Sequence, residues 1–261
     1  MHLSGLIVRF HKLAFAAKFY FLKEWKKNVA KCPECGGESL ENYYSKREGF
    51  IFVNLKKCSN CNFVLQSPRL SDVALENYYK KSYRLMRPSD NMQHQFEREK
   101  RKGRNYSEII SRYFKDYKNL NILEIGSARG GILQFFKEKG AVVQGLEWDE
   151  GCREFANKIG VKTNIHFEEL ENKKFDLVIL SHVLEHVHSY FDLLKKIDKH
   201  LNESGRVFIS VPGRENFDRS VQLAHLYYFE EASLNKICKR VWENCLYSDS
   251  KINVLYQKGQ I

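Results

Sequence analysis

The sequence predicts an α/β protein: a doubly wound, mostly parallel seven-stranded sheet behind a small cysteine-bearing module. Three observations predict it. From residue 119 onward, short apolar runs alternate with amphipathic ones at strand and helix spacing. The run NILEIGSARGGIL (121–133) reads as a strand, a glycine-bearing turn and a helix. Ahead of it, Cys32, Cys35, Cys58 and Cys61 stand in two Cys-x-x-Cys pairs.

The elements follow in order. NILEI is a strand and GILQFFKEKG a helix; AVVQGLE is a strand and DEGCREFANKIG a helix. VKTNI is a short strand, and the unbroken apolar run FDLVILS is a strand buried on both faces. The helix SYFDLLKKIDKHL precedes the strand GRVFISV, and the helix EASLNKICKRVW precedes two last strands, within ENCLYSDS and KINVLYQKG. These two read as an antiparallel hairpin closing a βαβ series. Such sheets bind ligands at the carboxyl ends of their strands near the switch point, which selects the loops after Ile125, Leu146 and Leu180.

The cysteine pairs are separated by 22 residues. Two hooks of this kind, each on a tight turn, bring four thiolates to the corners of one zinc ion. Pro33 stiffens the first turn and Gly36 lets the backbone fold back toward the sulfurs. Between the hooks, NYYSKREGFIFVNL reads as two short strands about a Glu48-Gly49 turn, which makes a zinc ribbon. All four corners are cysteine, leaving no position for water, so the predicted metal is structural. A redox pair or a metal-free ribbon is the alternative. Cys152, Cys238 and Cys245 are scattered; this odd count in a chain of 261 residues argues for a reducing cytoplasm over a secreted disulfide scaffold.

Four segments result: a basic amphipathic helix (1–30), the ribbon (31–68), a helical connector or lid (69–118) and the cofactor domain (119–261). In the first, Leu3, Leu6, Ile7, Phe10, Leu13, Ala14, Ala17 and Phe21 recur at helical spacing while Arg9, Lys12 and Lys18 interrupt them. No uncharged stretch of about 20 residues exists, which excludes a transmembrane helix. An anionic membrane surface or the protein itself would each accept such a helix. In the connector, Ser71 caps a predicted helix through DVALENYYKKSY, and a second helix is expected over 92–117, containing the basic run REKRKGR. Residues 1–118 carry 24 Lys and Arg against 12 Asp and Glu, and the rest of the chain 19 against 20, so the whole excess of +11 lies in front. RNA, an anionic membrane or a phosphorylated substrate would suit that front; solvated lysines would also account for it.

The loop after the first strand holds Glu124, Gly126, Ala128 and Gly130. Its glycines allow close backbone approach and leave amide N–H groups for a ligand. The spacing alone also suits a dinucleotide. Glu124 argues otherwise: a carboxylate beside a pyrophosphate has no use, whereas a sulfonium bearing an amino group can use one. Glu147 ends the second strand, where an acid can hold two ribose hydroxyls.

With these residues in view, 119–258 resemble a class I S-adenosylmethionine-dependent methyltransferase of Rossmann-like fold. LEIGSARGG resembles that family's first motif, with Ala128 where a glycine is usual; FDLVILSHVLEHV, LNESGRVFISVP and HLYYF follow in family order. The ribbon and the segment after it resemble the front of bacterial enzymes tied to sugar and cell-surface glycan modification. The resemblance implies that Glu124, Gly126, Ala128 and Gly130 line the methionine end, that Glu147 holds the ribose, that Trp148 flanks the adenine, and that Ser181 and His182 lie beside the sulfonium. It also implies a small-molecule or glycan acceptor, nucleotide- or lipid-linked.

Methyl transfer is an in-line displacement that gains from alignment, and a sugar hydroxyl also gains from a base. His225, His182 and His186 are the candidates, with His225 preferred. Some ribbon-bearing sugar C-methyltransferases carry a Glu-His pair near this position; Ala224 precedes His225 here, which favours O-methylation. RNA methylation is the rival, but Ser181-His182-Val183-Leu184 does not resemble the Asn/Asp-Pro-Pro-aromatic loop of base-amine enzymes. A non-catalytic interaction protein is the second rival, opposed by the intact Glu124, Gly126, Gly130 and Glu147.

Overall fold

A strand that is apolar on both faces sits inside a sheet covered on both faces. In the computed structural model, FDLVILS forms such a strand, and its Leu177, Val178, Ile179 and Leu180 are fully buried. The structure describes residues 3–79, 91–213 and 217–259. They divide into two units. One comprises the described residues of Met1–Pro88 with Glu185–His188 and Pro212–Glu230; the other comprises Ser89–Leu184, Ser189–Val211 and Glu231–Ile261.

The second unit is built on a seven-stranded sheet. Its strands are β1 (Asn121–Ile125), β2 (Val142–Leu146), β3 (Thr163–Asn164), β4 (Phe175–Ser181), β5 (Leu201–Ser210), β6 (Asn244–Ser248) and β7 (Asn253–Gln257). Their order is β6-β7-β5-β4-β1-β2-β3. β1 to β5 run parallel, β7 pairs antiparallel with β5, and β6 antiparallel with β7. The alternation of runs therefore produced the expected mostly parallel sheet with its closing hairpin. The order reverses at β1 and β4, whose neighbouring carboxyl ends carry the loops of interest. Ile122, Leu177, Ile179, Phe208 and Leu255 form the middle of the core, joined by Ile132, Leu133 and Phe136 from the helix Gly131–Lys137.

The helix Met92–Ile110 packs on that helix through two glycines. A Cβ on Gly131 would meet Glu99 Cβ and Phe96 O at 2.5 Å, and one on Gly103 would meet Ile132 O at 3.0 Å. The helix ends at Ile110, seven residues short of the sequence expectation. Tyr113, Phe114 and Tyr117 still pack on the core, which is why their spacing imitated a helix. In the same stretch the Asp116 carboxylate accepts from Lys118 N at 2.9 Å, and Asn119 turns the chain at φ 62°; both are loop devices that compete with a helix.

In the first unit, the helix Leu3–Phe21 and the turn Lys23–Trp25 precede a four-stranded antiparallel sheet. Leu40–Glu48 and Ile51–Cys58 form the expected hairpin, longer than expected, with Gly49 at φ 61° in its turn. Val64–Gln66 adds a third strand, and Tyr227–Tyr228 returns from far along the chain as the fourth. Ser71 caps the helix Asp72–Asn77, its Oγ accepting from Ala74 N at 3.2 Å. The predicted continuation of that helix past Tyr79 lies outside the described residues.

Candidate functional site

The turn after β1 is shaped by backbone that few side chains tolerate. Gly126, Ala128 and Gly130 all have positive φ, at 68°, 45° and 75°. Ala128 thus occupies the left-handed region at a cost of about 1–2 kcal/mol that glycine would not incur. Gly126 N and Ser127 N both donate to Leu146 O, at 2.8 and 3.0 Å, tying the turn to the end of β2. Gly145 in β2 is equally constrained, since a Cβ there would meet Ser127 Oγ at 2.3 Å. Gly126 leaves room for Val183 on the loop after β4, whose Cγ2 would lie 2.7 Å from an added Cβ.

Two carboxylates define the turn chemically. Glu124 is only 2% exposed, and its Oε2 has no hydrogen-bond partner among the described residues. Burial pushes its carboxyl well above the ordinary range; Glu99 and Glu147 add repulsion, and Lys102 opposes it. A buried carboxylate without a partner is costly, and a cationic ligand would relieve it. Glu147 instead accepts from Ala128 N through Oε2 and from Asp149 N through Oε1, both at 2.8 Å. Burial raises its carboxyl, and the same amides oppose the rise. A carboxylate offers about four lone-pair sites, so two remain for ligand hydroxyls. The two carboxylates therefore fit a cofactor with a cationic end and a vicinal diol.

Trp148 follows at the mouth of β2, 57% exposed, with its ring centroid 6.3 Å from that of His166. Arg153 donates to the carbonyls of Glu147 and Trp148, at 3.1 and 2.6 Å, fixing the backbone beneath the indole. At the end of β4, Ser181 Oγ lies 2.8 Å from Tyr106 OH. His182 stands at φ 56°, with its N–H donating to Ser210 O at 2.8 Å.

Two residues here escaped the sequence reading. Glu99, inside the basic run, accepts from Arg129 N at 3.2 Å and Gly131 N at 3.3 Å and pairs with the Arg129 guanidinium at 2.9 Å. It caps the helix that leaves the turn. Tyr106 is the other. Neither has a local signal, since each acts on a segment 30 or more residues away.

His186 and His225 come together in the first unit; His182 belongs to the second. Their ring centroids are 4.6 Å apart and nearly perpendicular. Glu185 is 1% exposed, with Oε1 3.7 Å from His186 Nε2. His186 Nδ1 lies 2.7 Å from Tyr79 OH and 3.0 Å from Ala224 O. His225 is buried, and Tyr228 is 6.3 Å from it, ring to ring. One ligand atom each from Glu185, His186 and His225 lie within 4.8 Å of one another.

The four cysteines also converge. Cys32 and Cys61 have their Sγ atoms 3.6 Å apart, as do Cys35 and Cys58. Four thiolates about 2.3 Å from one zinc would stand about 3.8 Å apart. The two hooks match: Gly36 N donates to Cys32 O and Asn62 N to Cys58 O, both at 2.8 Å, with Gly36 and Asn62 at φ 73° and 63°. Asparagine takes the left-handed turn that glycine takes in the first hook.

The family model described as "Methyltransferase domain" matches residues 92–252. No curated protein matches the chain. Among solved structures, the chain is similar to the plantazolicin methyltransferase BpumL in complex with SAH. Identity is 15% over 68% of this chain and 79% of that one, with a TM-score of 0.52. It is also similar to a protein of Pyrococcus horikoshii OT3, 13% identical over 70% of this chain and 95% of that one, TM-score 0.51. Both likenesses concern the fold. With the family model spanning more than half of its length, the chain belongs to the methyltransferase-domain family and is an S-adenosylmethionine-dependent methyltransferase.

Proposed function

We propose that this enzyme O-methylates a sugar hydroxyl, or a comparable small group, in bacterial cell-surface polysaccharide synthesis. The carrying observation is the cluster of buried Glu185, half-buried His186 and buried His225. A hydroxyl acceptor has to lose its proton as its oxygen is alkylated, and an imidazole beside a buried carboxylate is suited to take it. When bound, S-adenosylmethionine supplies a methyl carbon activated by its sulfonium.

In this reading His225 receives the hydroxyl proton. Glu185 stabilises the positive charge that the paired imidazoles acquire. Tyr79 and Ala224 O fix the ring of His186 through its Nδ1. Glu185 follows Ser181, the last residue of β4, by four residues in the sequence. Glu124, Gly126, Ala128 and Gly130 would hold the methionine end, Glu147 the ribose, Trp148 the adenine, and Ser181 and His182 the sulfonium side. Cys32, Cys35, Cys58 and Cys61 would hold a structural zinc, and their spacing and convergence support it. The ribbon-bearing front supports a glycan acceptor through its resemblance to sugar-modifying enzymes.

The test is transfer of tritiated methyl from S-adenosylmethionine to nucleotide sugars, lipid-linked glycans, peptides or total RNA. Label in a sugar at a base-stable ether is expected; label only in RNA or only in peptide overturns the acceptor assignment. On a labelled acceptor, His225→Ala should lower kcat by about 10²–10⁴ with cofactor affinity unchanged. A rate within threefold of wild type would remove His225 as the base.

The zinc assignment has its own readout. Purified protein treated with a thiol-blocking mercurial should release one zinc per chain to a colorimetric chelator, and Cys35→Ser should reduce that yield. Metal removal is expected to open the hooks, seen as lost amide protection from Cys32 to Phe63. Full protection after complete chelation would show that the ribbon stands without metal.

A further inference from the structure

The helix Leu3–Phe21 is apolar on two opposite sides, and among its described side chains one side is buried and the other exposed. Phe15, Ala16 and Phe19 are buried at 1–3% exposure, with Phe15 edge-on to Trp25 at 5.1 Å and to Tyr78 at 5.7 Å. At 100° per residue the opposite side is formed by Phe10, Leu13, Ala14, Ala17 and Phe21. All five are exposed: Phe10 by 75%, Leu13 by 51% and Phe21 by 85%. The two phenylalanines stand eleven residues apart, about 16 Å along the axis. A stripe of this length with no polar member is more than scattered surface leucines.

The borders of the stripe are basic. Arg9 falls on one edge and Lys18 on the other, about a quarter-turn from its centre. Lys23, Lys26 and Lys27 follow the helix. Residues 1–23 contain no Asp or Glu. Lys18 holds its ammonium 5.1 Å from the Trp25 ring and Lys26 donates to Tyr20 O, so both amines are kept at the end of the helix that carries Phe21.

We propose that this face lies on an anionic lipid bilayer. Phe10, Leu13 and Phe21 enter the acyl boundary while Arg9, Lys18, Lys23, Lys26 and Lys27 meet the headgroup charge. Charge selects this occupant over a second copy of the chain, because two such faces would bring like-charged borders together. The helix rests on the surface: no described helix is long and apolar enough to cross a membrane. The proposal is independent of which acceptor the enzyme methylates.

The test is co-sedimentation of the full-length protein with vesicles, either pure phosphatidylcholine or containing one-third phosphatidylglycerol. Wild type should bind the anionic vesicles at least tenfold more tightly, and 0.5 M salt should weaken that binding. Phe10→Glu/Phe21→Glu should lose at least tenfold of it, with methyltransferase activity on a soluble acceptor, or S-adenosylhomocysteine binding, unchanged. Equal binding of variant and wild type, or binding to neither vesicle, overturns the proposal. So does a dimer in light scattering that the same double substitution dissociates, since it would assign the face to a second copy.

Discussion

Replacing Glu147 by alanine is expected to weaken S-adenosylmethionine binding more than 100-fold, about 2.8 kcal/mol. The carboxylate holds two amides of the site itself, Ala128 N in the turn after β1 and Asp149 N in the loop after β2. Removing it strands both donors and takes away the acceptor proposed for the ribose. Stranded, partly buried amides cost about 1–3 kcal/mol each, so the unliganded protein should also lose stability, read as a lower urea midpoint. Glu147→Gln separates the effects. Its carbonyl can keep one amide, so stability should recover in part while affinity stays low. Titration calorimetry with S-adenosylhomocysteine reads the affinity directly. An alanine variant that binds within threefold of wild type would exclude Glu147 from the cofactor site.

Glu124→Gln is expected to act in opposite directions on the fold and on its ligand. Burial raises the folded-state carboxyl well above the ordinary range. A carboxyl raised on folding contributes nothing below its unfolded value and destabilises progressively as pH climbs from there through its folded value. The unliganded variant should therefore be more stable than wild type at neutral pH, and its stability should lack this fall with rising pH. An ammonium or sulfonium partner favours the ionised form, so cofactor binding to wild type should release a proton. Affinity should then increase with pH until Glu124 is ionised in the free protein, and level off. The glutamine variant should bind at least tenfold more weakly and show no such slope. Calorimetry in two buffers of different ionisation enthalpy measures the proton release; identical heats in both would contradict it.

The parts of the fold legible in the sequence are those whose signals are local. The unbroken apolar run of β4, the glycine turn after β1 and the paired cysteine hooks each carry their physics within about a dozen residues. Glu124 and Glu147 stand out in the sequence because each sits at a fixed offset from an expected strand end. Glu99 was not, since it caps a helix that begins 32 residues later, and its own neighbourhood reads as a basic helix face. The end of the helix at Ile110 was hidden because Tyr113 and Tyr117 pack on the core from a turn. The pairing of Tyr227–Tyr228 with Val64 and Leu65 had no local signal either, being two residues long and separated by more than 160 positions.

That last pairing bears on how the protein can be taken apart. His225 lies two residues before a strand that pairs, among the described residues, with Val64–Gln66 alone, just past Cys61. The chain passes between its two units five times, at Pro88, Leu184, His188, Val211 and Glu230. Modularity here is spatial, not linear. A gene fragment starting at residue 119 would contain every predicted cofactor residue and still leave the histidine strand without the edge it is sewn to. Swapping the front segment between relatives would likewise transplant three strands of a sheet whose fourth stays behind.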